Sequence, residues 1–304
     1  MNGFAAGPVR VSVPATSANL GPGFDALGLA LGLRDRLEAE VTDGGLEVRV
    51  EGIGRDDVPR DASHLVVRSM RAAFDRLDAR PAGLRLTCHN VIPHARGLGS
   101  SSAAIVAGVW LARELVAGGR LLLDDDALLD LAAQIEGHPD NVAPALLGGF
   151  TIAGRDDVDG TFFAVPGSVD PRIGAVVFVP PDGVSTEAAR GLLPDLVPHA
   201  DAAANAGRAA LLVAALAGRP DQLLRATADR LHQSYRRAAM PASLDLVEEL
   251  RSQGTPAIIS GAGPTVLAFT AAADGDGAER LGTHCPDAWT VLELPIDTRG
   301  AAGW

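Results

Sequence analysis

Residues 92–104, IPHARGLGSSSAA, constrain the fold more than any other stretch of this chain. They follow residues 84–89, where apolar and polar side chains alternate as in a half-buried strand. They lead into a long apolar helix starting near Ser101. A strand that feeds a helix through glycines makes a tight turn with a bare inner surface. Gly97 and Gly99 permit positive φ and leave no side chain between the backbone amides and a ligand. The helix start adds unpaired N–H groups and the positive end of the macrodipole. Such a segment is an anion site, or in its blander reading a serine N-cap after a glycine turn.

All 26 basic residues are arginine. A Walker-type P-loop needs a lysine on the phosphates and Schiff-base chemistry needs an amine, so both are excluded. The formal charge of −12, with no basic cluster, argues against a nucleic-acid partner. A length of 304 residues, 47% of them hydrophobic, suits one large domain or two ordinary ones rather than a disordered chain. Cys88 and Cys285 show no metal or redox spacing, and Cys88 alternates with Leu84 and Leu86 as on a buried strand face. The opening MNGFAAGPVRV lacks the charged and apolar regions of a secretion signal. The longest apolar stretch, residues 103–112, is broken by Arg113 and Glu114. A soluble, cytoplasmic protein without membrane contact is expected.

The first half mixes strands and helices. A strand at residues 9–13 precedes the polar loop PATSANLGPGFD, and residues 36–41 and 46–51 suggest paired strands around Asp43-Gly44-Gly45. Helices are expected from about Ser63 and over residues 125–136, after which GHPDNVAPALLGGF returns to strands. The acidic loop 154–160 is the nearest thing to a boundary, giving domains 1–160 and 161–304. The second half alternates strands at 173–179, 257–260, 265–269 and 288–294 with helices at 201–217, 221–231, 244–253 and 277–283. That order matches the split βαβ, ferredoxin-like motif, so the fold class is α+β.

Further segments carry chemistry. PATSANLGPGFDALGLAL crowds Asn19 and Asp25 among glycines and proline, which suits hydroxyl and ammonium groups or simply a polar turn. In EGHPDNVAPALLGG, Glu136 ends a helix where the macrodipole disfavours it, so a cation would compensate; a solvated glutamate is the bland alternative. His138, Asp140 and Asn141 contact substrate or shape that turn. ISGAGPTVLAF holds Gly261, Ala262 and Gly263 between two strands, closing over phosphates or forming a plain hairpin. Arg190 in STEAAR and Arg236 in LHQSYR are a pair able to clamp a carboxylate, or two surface arginines.

These segments, in this order, resemble the signature of the GHMP kinases, and most closely the homoserine kinases among them. The resemblance runs from about Val9 to about Leu294. It implies two domains, an N-terminal one like ribosomal protein S5 domain 2 and a ferredoxin-like C-terminal one. The implied activity is ATP-dependent phosphorylation of L-homoserine to O-phospho-L-homoserine, on the route to L-threonine, by a homodimer. ATP would lie along Pro93, His94, Ala95, Arg96, Gly97, Leu98, Gly99, Ser100, Ser101, Ser102 and Ala103, with Gly261, Ala262 and Gly263 near the phosphates. Ser101, with Ser100 as its alternative, and Glu136 would hold Mg²⁺. Asn19 and Asp25 would meet the substrate ammonium, and Arg190, Arg236 and Thr186 its carboxylate. His138 and Asn141 would line the reacting hydroxyl, with Asp140 the nearest candidate base. The loop opens with Arg96, where many GHMP kinases carry a small residue, and its serine run is one longer.

Phosphoryl transfer passes through a loose transition state, so positioning and charge neutralisation carry most of the catalysis. Two alternatives stand beside this reading. Another GHMP kinase acting on a different alcohol would have no use for an ammonium site. A catalytically silent relative is expected to lose Glu136 or the loop glycines, which are present here.

Overall fold

The computed structural model describes residues 3–271 and 276–304. The first half builds a sheet in the order β3-β4-β2-β5-β6, with β1 paired to β2. β1 (Val9–Ala18) runs antiparallel to β2 (Leu27–Thr42), the longest strand. β1 continues five residues past the expected end. Pro14 sits at a register shift, where the ladder tolerates a missing N–H, and Ala15–Ala18 then pair with Gly28–Leu31.

The expected hairpin around Asp43-Gly44-Gly45 does not form. β3 (Gly45–Gly52) pairs in parallel with β4 (Gly83–Asn90), and β4 lies between it and β2. The connection from β3 to β4 is α1 (Leu65–Arg76), whose Val66, Met70, Ala73 and Phe74 are buried. A crossover helix buries an apolar face that a two-residue hairpin would leave exposed, which favours the parallel pairing. Cys88 of β4 is buried as expected, and desolvation pushes its thiol up to about 12.

α2 (Ser100–Leu115) is buried along most of its length and packs on α1 and β1. α3 (Gly119–Leu122) is one turn. α4 (Asp125–Glu136) starts at the Asp124 N-cap, which accepts from Ala127 N at 2.9 Å, and ends at Gly137 in the left-handed region. Within the segment expected to return to strands, residues 142–147 instead form α5 (Val142–Leu147). β5 (Phe150–Arg155) and β6 (Phe162–Gly167) pair with each other, so the acidic loop is a hairpin connection and the chain leaves this sheet after Gly167.

The second sheet has the order β10-β7-β9-β8, every pair antiparallel, which is the ferredoxin-like arrangement. β7 (Ile173–Val179) leads to α6 (Thr186–Arg190), α7 (His199–Gly218), α8 (Leu223–Ala226) and α9 (Pro241–Ser252). β8 (Ala257–Ile259), β9 (Val266–Ala271), α10 (Gly277–Gly282) and β10 (Thr290–Leu294) complete it. The helix expected over 221–231 stops at Ala226. Beyond it the Asp229 carboxylate accepts the N–H groups of Leu231, His232 and Gln233, turning the chain toward the site.

The β7 side chains alternate between two apolar cores. Ile173, Ala175 and Val177 join the core of the first half, while Val176 and Phe178 pack toward α9. α7 is 20 residues long and, by length and composition alone, apolar enough to cross a bilayer. Its Leu212, Ala215 and Leu216 pack into the core shared with the first sheet. The C-terminal segment returns to that sheet, with Ile296 bridging Leu31, Ala302 bridging Ser12, and Arg34 paired with Asp297.

Candidate active site

Gly99 caps α2 in the left-handed region at φ 68°, and as a glycine it offers the helix N-terminus no capping side chain. The first-turn N–H groups therefore face the cleft uncapped. Packing demands glycine here as strongly as the backbone does. A Cβ at Gly99 would lie 1.9 Å from Thr16 Oγ1, and one at Gly97 would lie 2.3 Å from the Ser260 carbonyl oxygen. The 260–264 turn is clasped to the loop. Ser260 Oγ donates to the Gly97 carbonyl at 2.6 Å, Gly261 N to Ala18 O at 3.0 Å and Thr265 N to Arg96 O at 3.3 Å. The two glycine-rich turns thus come from opposite halves and back onto one another. Arg96 braces the same junction, donating to the carbonyls of His94, Pro180 and Pro181.

At the end of α4, Glu136 Oε1 accepts both the Ser101 hydroxyl, at 2.6 Å, and the Ser102 hydroxyl, at 2.7 Å. The three side chains form a hard, all-oxygen donor set. Among the described residues no three His, Cys, Asp or Glu side chains cluster to hold a metal. A single carboxylate with hydroxyls fits an ion such as Mg²⁺, which completes its shell with phosphate oxygens and water.

Beside them, His138 Nδ1 lies 2.8 Å from Asp140 Oδ1, and Asp140 is 2% exposed. Burial pulls the His138 pKa down, but the hydrogen bond and charge of Asp140, with Glu136 adding, raise it above its ordinary value. Asn141 Oδ1 accepts the Thr16 hydroxyl at 2.7 Å, which leaves its amide N–H₂ as donor.

The loop after β1 holds Asn19, Leu20 and Asp25 at positive φ. Asn19 secures this conformation, its Oδ1 accepting Asp25 N at 3.0 Å and its Nδ2 donating to Gly261 O at 2.8 Å. The Asp25 carboxylate takes Arg190 bidentately, at 2.6 and 3.0 Å. Arg236 behaves differently. It is 1% exposed and donates to His232 Nδ1 and to Gly261 O, and its buried Nε has no hydrogen-bond partner among the described residues. Desolvation, and then the charge of Arg190, lower its pKa. His232 is held neutral by burial, with Nε2 directed at Gly21 O at 2.7 Å and Nδ1 left to accept from Arg236.

A cleft of ≈ 250 Å³ gathers most of the expected residues: Asn19, residues 95–101, Glu136, His138, Asp140, Asn141, Thr186, Arg190, Arg236, Gly261 and Ala262. Asp25 meets it through Arg190. Ser102 and Ala103 are buried behind it, and Gly263 packs against Met240. A second cavity of ≈ 250 Å³ adjoins the first at Ser100 and Ser101, and His94 belongs to this one. It contains two residues that the motifs do not point to. His64, at 6% exposure, keeps a buried Nδ1 without a partner among the described residues. Asp35, accepting Val91 N at 2.6 Å and Ile92 N at 3.0 Å, is raised by burial to about 6. The signal for Asp35 was its parity, since it shares the inward register of Leu37 and Ala39 on β2. No motif role points to His232 either, which stands four residues before Arg236 in LHQSYR.

The family described as GHMP kinases N terminal domain matches residues 64–149, and GHMP kinases C terminal matches residues 211–288. A homoserine kinase from Streptomyces coelicolor is 57% identical over 298 residues, covering 98% of this chain and 95% of that one. One from Clavibacter michiganensis is 49% identical over 298 residues, covering 96% and 93%. The crystal structure of homoserine kinase from Cytophaga hutchinsonii superposes with a TM-score of 0.83 at 26% identity, covering 98% and 97% of the two chains.

Proposed function

The chain belongs to the homoserine kinase family of the GHMP kinases and phosphorylates L-homoserine with ATP; we propose that the reaction takes place in the cleft between its two halves. The observation that carries this placement is Arg236. A buried guanidinium that, among the described residues, has no carboxylate partner and an orphaned Nε faces the same cleft as the N-terminus of α2. One end of the cleft therefore wants a carboxylate and the other wants phosphates.

The ATP phosphates lie across the N–H groups of residues 97–101, and the nucleoside extends into the adjoining cavity, where His64 Nδ1 awaits a partner. Glu136 and Ser101 would hold Mg²⁺, which would supply charge neutralisation to the phosphate oxygens. The substrate carboxylate meets Arg236 and Arg190, with Thr186 beside them, and its ammonium meets Asp25 and the Asn19 side chain. His138 and the Asn141 amide face the hydroxyl. Asp140 keeps His138 oriented, and His138 takes the hydroxyl proton as the new O–P bond forms and the bond from the γ-phosphorus to the β,γ-bridging oxygen breaks, releasing ADP. A strong base is not required, because a loose transition state develops little nucleophile charge before bond formation. The L-threonine route, a cytoplasmic location and a homodimer are the accompanying readings, supported by the family alone.

ADP release is the test, with ATP and Mg²⁺ and a panel of L-homoserine, L-threonine, L-serine, mevalonate and galactose. Turnover confined to L-homoserine is expected. Turnover with mevalonate instead would discard the roles of Asp25, Arg190 and Arg236.

A further inference from the structure

Resting on the assignment of Asp25 and Arg190 to the charged ends of the substrate, we propose that they form an exchangeable ion pair. Through it, the second arginine of the carboxylate clamp is released only to a substrate that carries an ammonium group.

Asp25 is the fixed partner. Its backbone is held by Asn19, and the loop around it is tied down by His232 at Gly21 O and by Asn205 at Pro22 O, each at 2.7 Å. Arg190 is the movable one. It ends the five-residue helix α6, and among the described residues its guanidinium hydrogen-bonds to Asp25 alone. The Phe24 ring centroid lies 5.5 Å from the Arg190 guanidinium and 5.8 Å from that of Arg236, so one aromatic ring is in reach of both arginines. Both members of the pair are more than a third exposed, so separating them is inexpensive once each finds a new partner.

Among the described residues, the substrate end of the cleft therefore offers Arg236 without a carboxylate partner, and Asp25 with Arg190 as a neutral pair. A lone carboxylate engages Arg236 and leaves the pair intact, because drawing Arg190 across would strand Asp25. An ammonium on the same molecule changes the balance. It replaces Arg190 at Asp25, and Arg190 joins Arg236 on the carboxylate, so that every charge is matched. Removing the ammonium then forfeits two interactions rather than one, which selects amino acids over simple hydroxy acids.

The test compares kcat/KM for L-homoserine and for 4-hydroxybutanoate, the same chain without its ammonium, in wild type, Arg190→Ala and Asp25→Ala. Where 4-hydroxybutanoate turns over too slowly, its competitive inhibition constant serves. Arg190→Ala is expected to lower L-homoserine use by about thirtyfold and 4-hydroxybutanoate use by less than about threefold, a coupling read from the cycle. Asp25→Ala is expected to improve 4-hydroxybutanoate use while impairing that of L-homoserine. Equal losses for both compounds in Arg190→Ala would overturn the exchange and leave the binding roles standing. Unchanged L-homoserine kinetics in both variants would overturn the binding roles themselves. Arg190→Met and Asp25→Asn carry the same comparison if the alanine variants misfold.

Discussion

Ser101 Oγ donates to Glu136 Oε1 at 2.6 Å, joining the first turn of α2 to the last turn of α4. Ser102 donates to the same oxygen, so a carboxylate placed against its own helix dipole is satisfied by two hydroxyls. That arrangement holds oxygen donors ready for a cation at the phosphate end of the cleft. Glu136→Ala is expected to lower kcat by about a thousandfold, the scale of losing a charge-stabilising group. Its circular dichroism should match wild type. Glu136→Gln separates the two possible roles: it keeps an acceptor for the serines but lacks the charge. Near-normal turnover in that variant, across a Mg²⁺ titration, would remove Glu136 from the metal site.

Unlike Arg190 beside it, Arg236 is desolvated and, among the described residues, has no ion pair. Its planar fork is already anchored by His232 and Gly261, so little freedom is left to lose when a carboxylate binds. Arg236→Lys cannot reproduce this geometry. Both Arg236→Lys and Arg236→Ala are expected to raise KM for L-homoserine by about a hundredfold, the loss of a bidentate charge-assisted contact. KM for ATP should stay within about twofold if the two ends of the cleft act independently. Equal rises for both substrates would mean that Arg236 only supports the fold of the Gly261 turn.

The raised pKa of His138 gives the reaction a pH signature. As proton acceptor it must be neutral, so kcat/KM should fall as pH drops through a value above 6.5, its ordinary one. Asp140→Asn removes the hydrogen-bonded charge and leaves desolvation as the larger influence, which lowers the pKa. The acid limb of the profile should therefore move to lower pH, with a reduced plateau. A limb that stays in place would assign it to another group.

Much of this site was legible because its chemistry is carried by contiguous segments. The strand, bare glycines and serine-bearing helix start at residues 84–102 each have a local physical reason, and α4 falls where its periodicity placed it. The parallel pairing of β3 was not legible. Asp43-Gly44-Gly45 is good turn chemistry, and only the burial of α1 across the sheet decides against a hairpin. Helix 221–231 failed for a similar reason, since the Asp229 side chain offers the backbone a competing set of hydrogen bonds. Nor does sequence spacing reveal that Asp25 rests on Arg190, because the two lie 165 residues apart and meet only when the halves pack.

The second cavity yields its own expectation through His64. Its buried Nδ1 has no partner among the described residues, and burial lowers its pKa, so the ring is neutral with a polar atom to spare. A nucleobase occupying that cavity would supply the missing partner. His64→Ala should raise KM for ATP by about tenfold, one hydrogen bond with its desolvation, and leave KM for L-homoserine unchanged. An unchanged KM for ATP would place the nucleoside elsewhere.

Asp35 closes the same cavity and links it to stability. Burial raises its pKa from 3.8 to about 6, and the two N–H groups from Val91 and Ile92 offset only part of that. The folded state then holds a proton that the unfolded chain has already released, so the contribution of Asp35 is fully present below 3.8 and is lost as pH rises through about 6. Asp35→Asn cannot ionise, yet its carbonyl oxygen can accept both N–H groups, which in the wild type share Oδ1. Its Tm relative to wild type should therefore climb as pH rises from 3.8 to about 6 and level off beyond, whatever the pH-independent offset between the two side chains. A difference in Tm that stays constant across that window would mean that Asp35 titrates alike in the folded and unfolded chains. The carboxylate would then be solvated in the native state, and the anchoring of the phosphate loop at Val91 and Ile92 would have to come from another group.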